Sequence, residues 1–178
     1  MLAVIGGVMV SACSVSDSAN GSATSHTSPT SAPGSATPLA DAVAQRRAVD
    51  AYRAMWKDVA DAATTSDWRS PVLAHHATGD ALSVLSGQLY ADHYNGLVSK
   101  GAPVNDPAVE AVTAQDPLTA IRIRDCSDAT GWLKYRADTG QPADSSPGGT
   151  HLINAEVRLS VDGAWRVTRF AVGETGSC

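Results

Sequence analysis

The sequence predicts an α+β domain, and three observations carry that prediction. Apolar side chains recur at spacings of three, four or seven from Pro38 to about Gly101, the period of amphipathic helices. Beyond Pro107 the period falls to two, the mark of half-buried antiparallel strands. The helical segments all precede the strands, so the element types are segregated and not interleaved as a parallel sheet requires.

The chain has 178 residues, 43% of them hydrophobic and 17% charged, which suits one globular domain with unstructured extensions. A formal net charge of −5 argues against a nucleic-acid binder, because neutralising phosphates takes a clustered basic surface.

Leu2 to Ala12 is uncharged and apolar, yet shorter than the roughly 20 residues that cross a bilayer as a helix. It reads as the apolar core of a secretory signal spanning residues 1–12, with small residues at the cleavage point. Val10-Ser11-Ala12-Cys13 resembles the lipobox of bacterial lipoproteins, although no Lys or Arg precedes the apolar run. The resemblance implies cleavage before Cys13, lipidation of its thiol and acylation of the new amino terminus. Two or more acyl chains anchor a protein stably, since each buried CH₂ adds about 0.8 kcal/mol and one chain alone is marginal. The expected location is therefore extracytoplasmic, held to the bacterial cell membrane through Cys13. The Ser/Thr/Ala/Gly/Pro-rich stretch that follows, to Thr37, has no large apolar side chain after Val15 to offset the entropy of ordering. With Cys13 it forms a tether over residues 13–37, ahead of a folded domain over 38–178.

That domain opens on a helix. Thr37 suits the cap and Pro38 the first helical position, where its missing N–H costs nothing. Ala42, Val49, Tyr52, Trp56, Val59 and Ala63 form the apolar stripe, while Arg46, Arg47, Asp50, Arg53, Lys57, Asp58 and Asp61 take the other faces. Thr64 to Asp67 ends it, and Ser70-Pro71 restarts a short turn. A second long helix runs from about Thr78, with Leu82, Leu85, Leu89, His93 and Leu97 on one stripe and Tyr90 and Tyr94 beside it. Gly101 as the residue beyond the last turn, followed by Pro103, closes it.

Among the strands, Ile121 and Ile123 alternate with Arg122 and Arg124, and Ile153, Ala155, Val157, Leu159 and Val161 alternate with Asn154, Glu156, Arg158 and Ser160. Thr139 to Gly149 forms a long polar loop between them. The final hairpin turns at Asp162-Gly163, and its register follows from the side-chain pattern. A two-residue loop sets Leu159 opposite Arg166, mixing polar with apolar on one face. A three-residue loop, Val161-Asp162-Gly163 with Gly163 left-handed, sets Leu159 opposite Trp165, Val157 opposite Val167 and Ile153 opposite Ala171. The same register puts Arg169 opposite Ala155, on the inner face.

The order helix, helix, strands, with the hairpin Val161-Asp162-Gly163-Ala164-Trp165-Arg166-Val167 and a terminal strand, resembles the nuclear transport factor 2-like superfamily. The resemblance spans Pro38 to Cys178 and implies two N-terminal amphipathic helices packed on a curved antiparallel sheet forming a cone. That superfamily includes ketosteroid isomerases, polyketide cyclases and many non-catalytic extracytoplasmic modules, so fold by itself does not choose a function.

Export brings an oxidising environment, and Cys126 and Cys178 remain as an even pair once Cys13 is lipidated. A disulfide between them is expected, closing a loop of about 52 residues and adding about 4 kcal/mol in the chain-entropy model. Catalytic candidates are few. Asp125 shares the parity of Ile121 and Ile123, which aims its carboxylate at the apolar face unless a bulge precedes Cys126. Tyr52, Tyr90 and Tyr94 have hydroxyls that could donate to an oxyanion, and equally have the spacing of core aromatics. His75-His76 with Asp80, and His93 with Asp92, lack a third ligand at a recognisable spacing, so neither a metal nor a cofactor is expected. The pocket of the cone is assigned Trp56, Trp165 and Arg169. An arginine on an inner face needs a partner, either an internal carboxylate such as Asp125 or the carboxylate or phosphate of a ligand.

Two functions compete on these grounds. One is a non-enzymatic binding or assembly module at the cell envelope, with a membrane anchor and an envelope protein partner. The other is a cyclase- or isomerase-like enzyme, or a binder of a small apolar or anionic ligand, using the pocket. The tether and the missing matched catalytic set favour the first.

Overall fold

A computed structural model describes residues 38–115, 118–143 and 148–178. The segments expected as signal (residues 1–12) and tether (residues 13–37, with Cys13) lie outside the described residues. Within them the order is α1 (Pro38–Ala63), α2 (Leu73–His76), α3 (Gly79–Tyr94), β1 (Leu97–Lys100), β2 (Pro107–Gln115), β3 (Leu118–Asp128), β4 (Leu133–Arg136), β5 (Thr150–Leu159) and β6 (Trp165–Val172). The fold is α+β, with the helices packed on an antiparallel sheet in the expected cone arrangement.

The helix α1 buries Ala48, Tyr52, Met55, Trp56 and Val59, while Arg46, Arg47, Asp50, Arg53, Lys57 and Asp61 stay exposed. Its buried stripe starts later than the spacing suggests, since Ala42 is exposed. The short turn after Pro71 is present as α2, whose Leu73 enters the core. The second long helix ends earlier than predicted. Asn95 caps α3 at Tyr94, donating from its backbone N and from Nδ2 to Ala91 O at 3.1 and 2.8 Å. Gly96 then takes the left-handed conformation at φ 64° that a helix terminus favours. Leu97 therefore belongs to a strand, and His93 points to solvent instead of joining the apolar stripe.

Gly101 serves a different close approach. It has φ 82°, and a Cβ there would sit 2.0 Å from the carbonyl oxygen of Gly131, where the chain re-enters β4. Only glycine lets the two backbones meet so closely. The meeting aligns β1 with β4 in a two-stranded antiparallel sheet, pairing Val98 with Tyr135 and Ser99 with Lys134. Periodicity had indicated neither strand, because four residues are too few to establish an alternation.

The main sheet has the order β2-β3-β5-β6, antiparallel throughout. On β3, Ile121, Ile123, Asp125 and Ser127 are buried while Arg122, Arg124 and Cys126 are exposed, an unbroken alternation. Bulges interrupt the pairing between Val109 and Ala111 and between Glu156 and Val157. An extra residue on one strand bends it and increases its twist, which curves a sheet around its helices.

The terminal hairpin has the expected three-residue loop, with Gly163 at φ 81°, Leu159 opposite Trp165 and Val157 opposite Val167. Beyond Val157 the bulge shifts the register by one. Ile153 then faces Val172 where Ala171 was expected, and Arg169 faces Glu156 where Ala155 was expected. Thr168 is the residue taken up by the bulge, and Phe170 and Val172 gain the inner side. The shift turns Arg169 to the outer face.

Cys126 and Cys178 form a disulfide across a sequence separation of 52 residues. It ties the chain end to β3, and Ser177 Oγ accepts from Leu152 N at 2.8 Å beside it. Thiol titration of the unfolded, unreduced chain carrying Cys13→Ala is expected to find no reactive thiol, and two only after reduction. Two thiols before reduction would contradict the bridge.

Candidate functional site

Two groups of side chains merit a chemical reading, and they adjoin at Ser127. The first centres on Asp125, 1% exposed on the inner face of β3. Its Oδ2 accepts from Tyr52 Oη at 2.8 Å and from Asn105 Nδ2 at 2.7 Å, and its Oδ1 accepts from Asp106 N at 2.7 Å. Asn105 Nδ2 also donates to Ser127 Oγ at 3.0 Å. Such donors stabilise an ionised carboxylate without a cation. Burial, and then the negative charge of Asp125 and its hydrogen bond, push the Tyr52 hydroxyl well above its ordinary ionisation range. The Trp56 indole acts weakly the other way on Tyr52, although its N–H does not reach hydrogen-bond geometry. Asp125 thus has the inward aim expected of it, but its carboxylate is engaged by three donors of the chain itself. It clamps α1 and the Asn105-Asp106 segment onto the sheet.

The second group lines a cavity of about 310 Å³ between α1, α3 and the sheet. Trp56, Trp132 and Phe170 form its aromatic wall, with ring centroids 6.3 Å apart for Trp56–Trp132 and 5.6 Å for Trp56–Phe170, both edge-on. Val59, Val84, Leu85, Leu89, Ile153 and Val172 complete the apolar surface. The polar groups are few, as in most ligand sites. Lys134 Nζ donates to Asp92 Oδ1 at 2.6 Å, with the Asp92 side chain 7% exposed and that of Lys134 32%. His151 Nδ1 lies 3.0 Å from Gly173 O. A carbonyl only accepts, so Nδ1 carries the hydrogen and Nε2 is an acceptor in the neutral ring. The indole Nε1 atoms of Trp56 and Trp132 are buried and have no hydrogen-bond partner among the described residues.

Of the residues assigned to the pocket, Trp56 lines this cavity. Trp165 is on the inner face but is 8% exposed within the core under the helices, away from the cavity wall. Arg169 is corrected outright. The bulge places it outside, where its guanidinium, 66% exposed, pairs with Glu156 Oε2 at 2.7 Å. The carboxyl of Glu156 is held below its usual range chiefly by the Arg158 hydrogen bond, with Arg169 and Thr168 adding to it. Tyr90 and Tyr94 are also corrected as oxyanion donors. They are 50% and 79% exposed on the solvent side of α3, Tyr90 packing edge-on against Trp68 at 5.3 Å. His76 meets Asp58 at 2.7 Å while His75 is exposed, so the adjacent histidines diverge.

Asp92, paired with His93 in the sequence as a metal candidate, instead lines the cavity, together with Trp132, Lys134, Ser99 and Phe170, which the sequence does not single out. A signal existed for two of them. Asp92 follows Leu85 and Leu89 at the helical spacing of seven and three, which puts a carboxylate on the buried stripe. Trp132 and Lys134 are two apart, but a strand as short as β4 has no pattern to show that they share a face.

The chain matches no family model and no curated protein. Among solved structures it is similar to the intermembrane space region of the chloroplast protein ARC6, with a TM-score of 0.54 and 18% identity over 74% of this chain and 97% of that one. A ketosteroid isomerase-like protein from Erwinia carotovora atroseptica SCRI1043 aligns over 72% of this chain and 94% of that one, with a TM-score of 0.42 and 13% identity. The likeness to the ARC6 region is one of fold. The site therefore has to be read from its own geometry, as a mostly apolar cavity lined by one ion pair between the helices and the sheet.

Proposed function

We propose that this chain is an extracytoplasmic lipoprotein, anchored to the bacterial cell membrane through lipidated Cys13, whose domain is a non-enzymatic binding or assembly module at the cell envelope. The observation that carries the binding reading is the cavity: its wall is mostly apolar, and its carboxylate, Asp92, is engaged by Lys134. An isomerase- or cyclase-like reaction needs a base free to take a proton from a substrate. Asp125, the candidate for that role, accepts three hydrogen bonds from the chain itself. The Cys126–Cys178 disulfide fits an oxidising compartment. The Val10-Cys13 tetrapeptide and the polar stretch behind it support the anchor, since they suspend a domain near a membrane and contribute nothing to chemistry.

Two linked measurements test this. In cells fed a palmitate analogue, the wild-type chain is expected to be labelled and membrane-bound, and Cys13→Ala unlabelled and either released or left unprocessed. An unlabelled wild type overturns the lipoprotein reading. Cross-linking in native membranes is expected to capture an envelope protein with the wild type, and its recovery is expected to fall when Cys13→Ala removes the anchor.

A further inference from the structure

The cavity contains a carboxylate that has to keep a cation, and the cation it holds is replaceable. Asp92 follows Leu85 and Leu89 on the buried stripe of α3, and its side chain is 7% exposed. A carboxylate so placed is costly unless it is paired. Its Oδ1 accepts from Lys134 Nζ at 2.6 Å, whereas Oδ2 has no donor among the described residues and is not fully buried. Lys134 is the looser partner. Its side chain is 32% exposed on the four-residue strand β4, so its ammonium returns to water readily while Asp92 stays behind. The surroundings suit a positive charge. Trp56, Trp132 and Phe170 line the same cavity, and aromatic rings attract cations through their faces. His151, whose Nδ1 donates to Gly173 O, offers Nε2 as a further acceptor.

A second ammonium can therefore take the place of the first with the charge of the cavity unchanged. An anion would have to sit beside Asp92 in a poorly solvated place. A neutral molecule leaves Lys134 where it is and gains no charge-assisted hydrogen bond. The volume of about 310 Å³ falls within the range of small-ligand sites.

We infer that the cavity binds an organic ammonium ion with an apolar aryl or alkyl body, which takes Asp92 from Lys134 and buries its body against Trp56, Trp132 and Phe170. This deepens the binding-module reading, on which it rests, and is independent of the lipid anchor.

Calorimetric titration of the full chain with three matched probes tests it: 2-phenylethylammonium, 2-phenylethanol and 3-phenylpropanoate. The ammonium is expected to bind about tenfold more tightly than the alcohol, the step from a neutral to a charge-assisted hydrogen bond, and the anion more weakly than either. Lys134→Met keeps the aliphatic stem and removes the competing charge, so ammonium affinity should rise by about tenfold or more while alcohol affinity changes by less than about threefold. Asp92→Asn should bring the ammonium down to the affinity of the alcohol. Should Lys134→Met fold poorly because Asp92 is left without a cation, its melting temperature should rise with the ammonium and not with the alcohol. An ammonium that binds no better than the alcohol, or is indifferent to both substitutions, overturns the inference, as does an anion that binds most tightly. If no probe binds while cross-linking still captures an envelope protein, this inference fails and the binding-module reading stands.

Discussion

Asp125→Ala is expected to destabilise the domain by about 3–5 kcal/mol, measured by chemical denaturation of the full chain. The carboxylate is 1% exposed and satisfies donors from Tyr52, Asn105 and the Asp106 backbone. Alanine deletes three charge-assisted bonds and strands those donors where water does not replace the acceptor, but it also removes the cost of burying the charge, so the loss falls below the sum of three bonds at about 1.5–3 kcal/mol each. Tyr52→Phe removes one of the three and should cost correspondingly less, about 1.5–3 kcal/mol. The pair also makes a pH prediction. Folding raises the Tyr52 ionisation above its unfolded value of about 10, so the native state binds that proton more tightly. The associated stability is complete below pH 10 and is lost as pH climbs past it toward the folded value. Tyr52→Phe should be less stable at neutral pH yet lose less on alkaline titration. An Asp125→Ala chain with the wild-type denaturation midpoint would remove the clamp from this account.

Trp165→Ala should cost about 3–5 kcal/mol, the usual range for deleting a large buried aromatic ring. The indole is 8% exposed and stands opposite Leu159 on the inner face, beneath the helices. Arg169→Ala, four residues along the same strand, should change stability by less than about 1 kcal/mol. Its pair with Glu156 is largely solvated, and Glu156 retains Arg158 and Thr168. Thermal melts of the two variants separate an inner from an outer position on one strand. A wild-type-like melt for Trp165→Ala would contradict the hairpin register.

The difference between those neighbours shows how far local pattern reaches. Trp165 lies close to the turn, and a loop of three residues with a left-handed Gly163 sets the pairing on either side of it. The alternation of Ile121, Ile123 and Asp125 likewise needs only a strand that keeps its parity, and β3 keeps it from Ile121 to Ser127. The two cysteines downstream of Cys13 already formed an even pair in the sequence. These features depend on period and proximity, which a linear chain displays.

Arg169 is beyond that reach. Its face depends on a bulge at Glu156 and Val157, and the bulge comes with the placing of Phe170 and Val172 against the cavity, which a strand pattern read by itself does not contain. The end of α3 was misplaced for a related reason. Leu97 continues the apolar spacing of the helix, but Asn95 and Gly96 stop it, and Leu97 to Lys100 find their hydrogen-bond partners in β4, some 35 residues on. Asp92 could be placed on the buried stripe, yet only the packed structure supplies Lys134, 42 residues away, to neutralise it. Periodicity determined which side chains turn inward, because burial acts on each strand or helix locally. Tertiary structure decided which of them meet across the chain, and so formed the cavity, because a bulge, a short paired strand and a partly buried ion pair each draw their stability from residues distant in sequence.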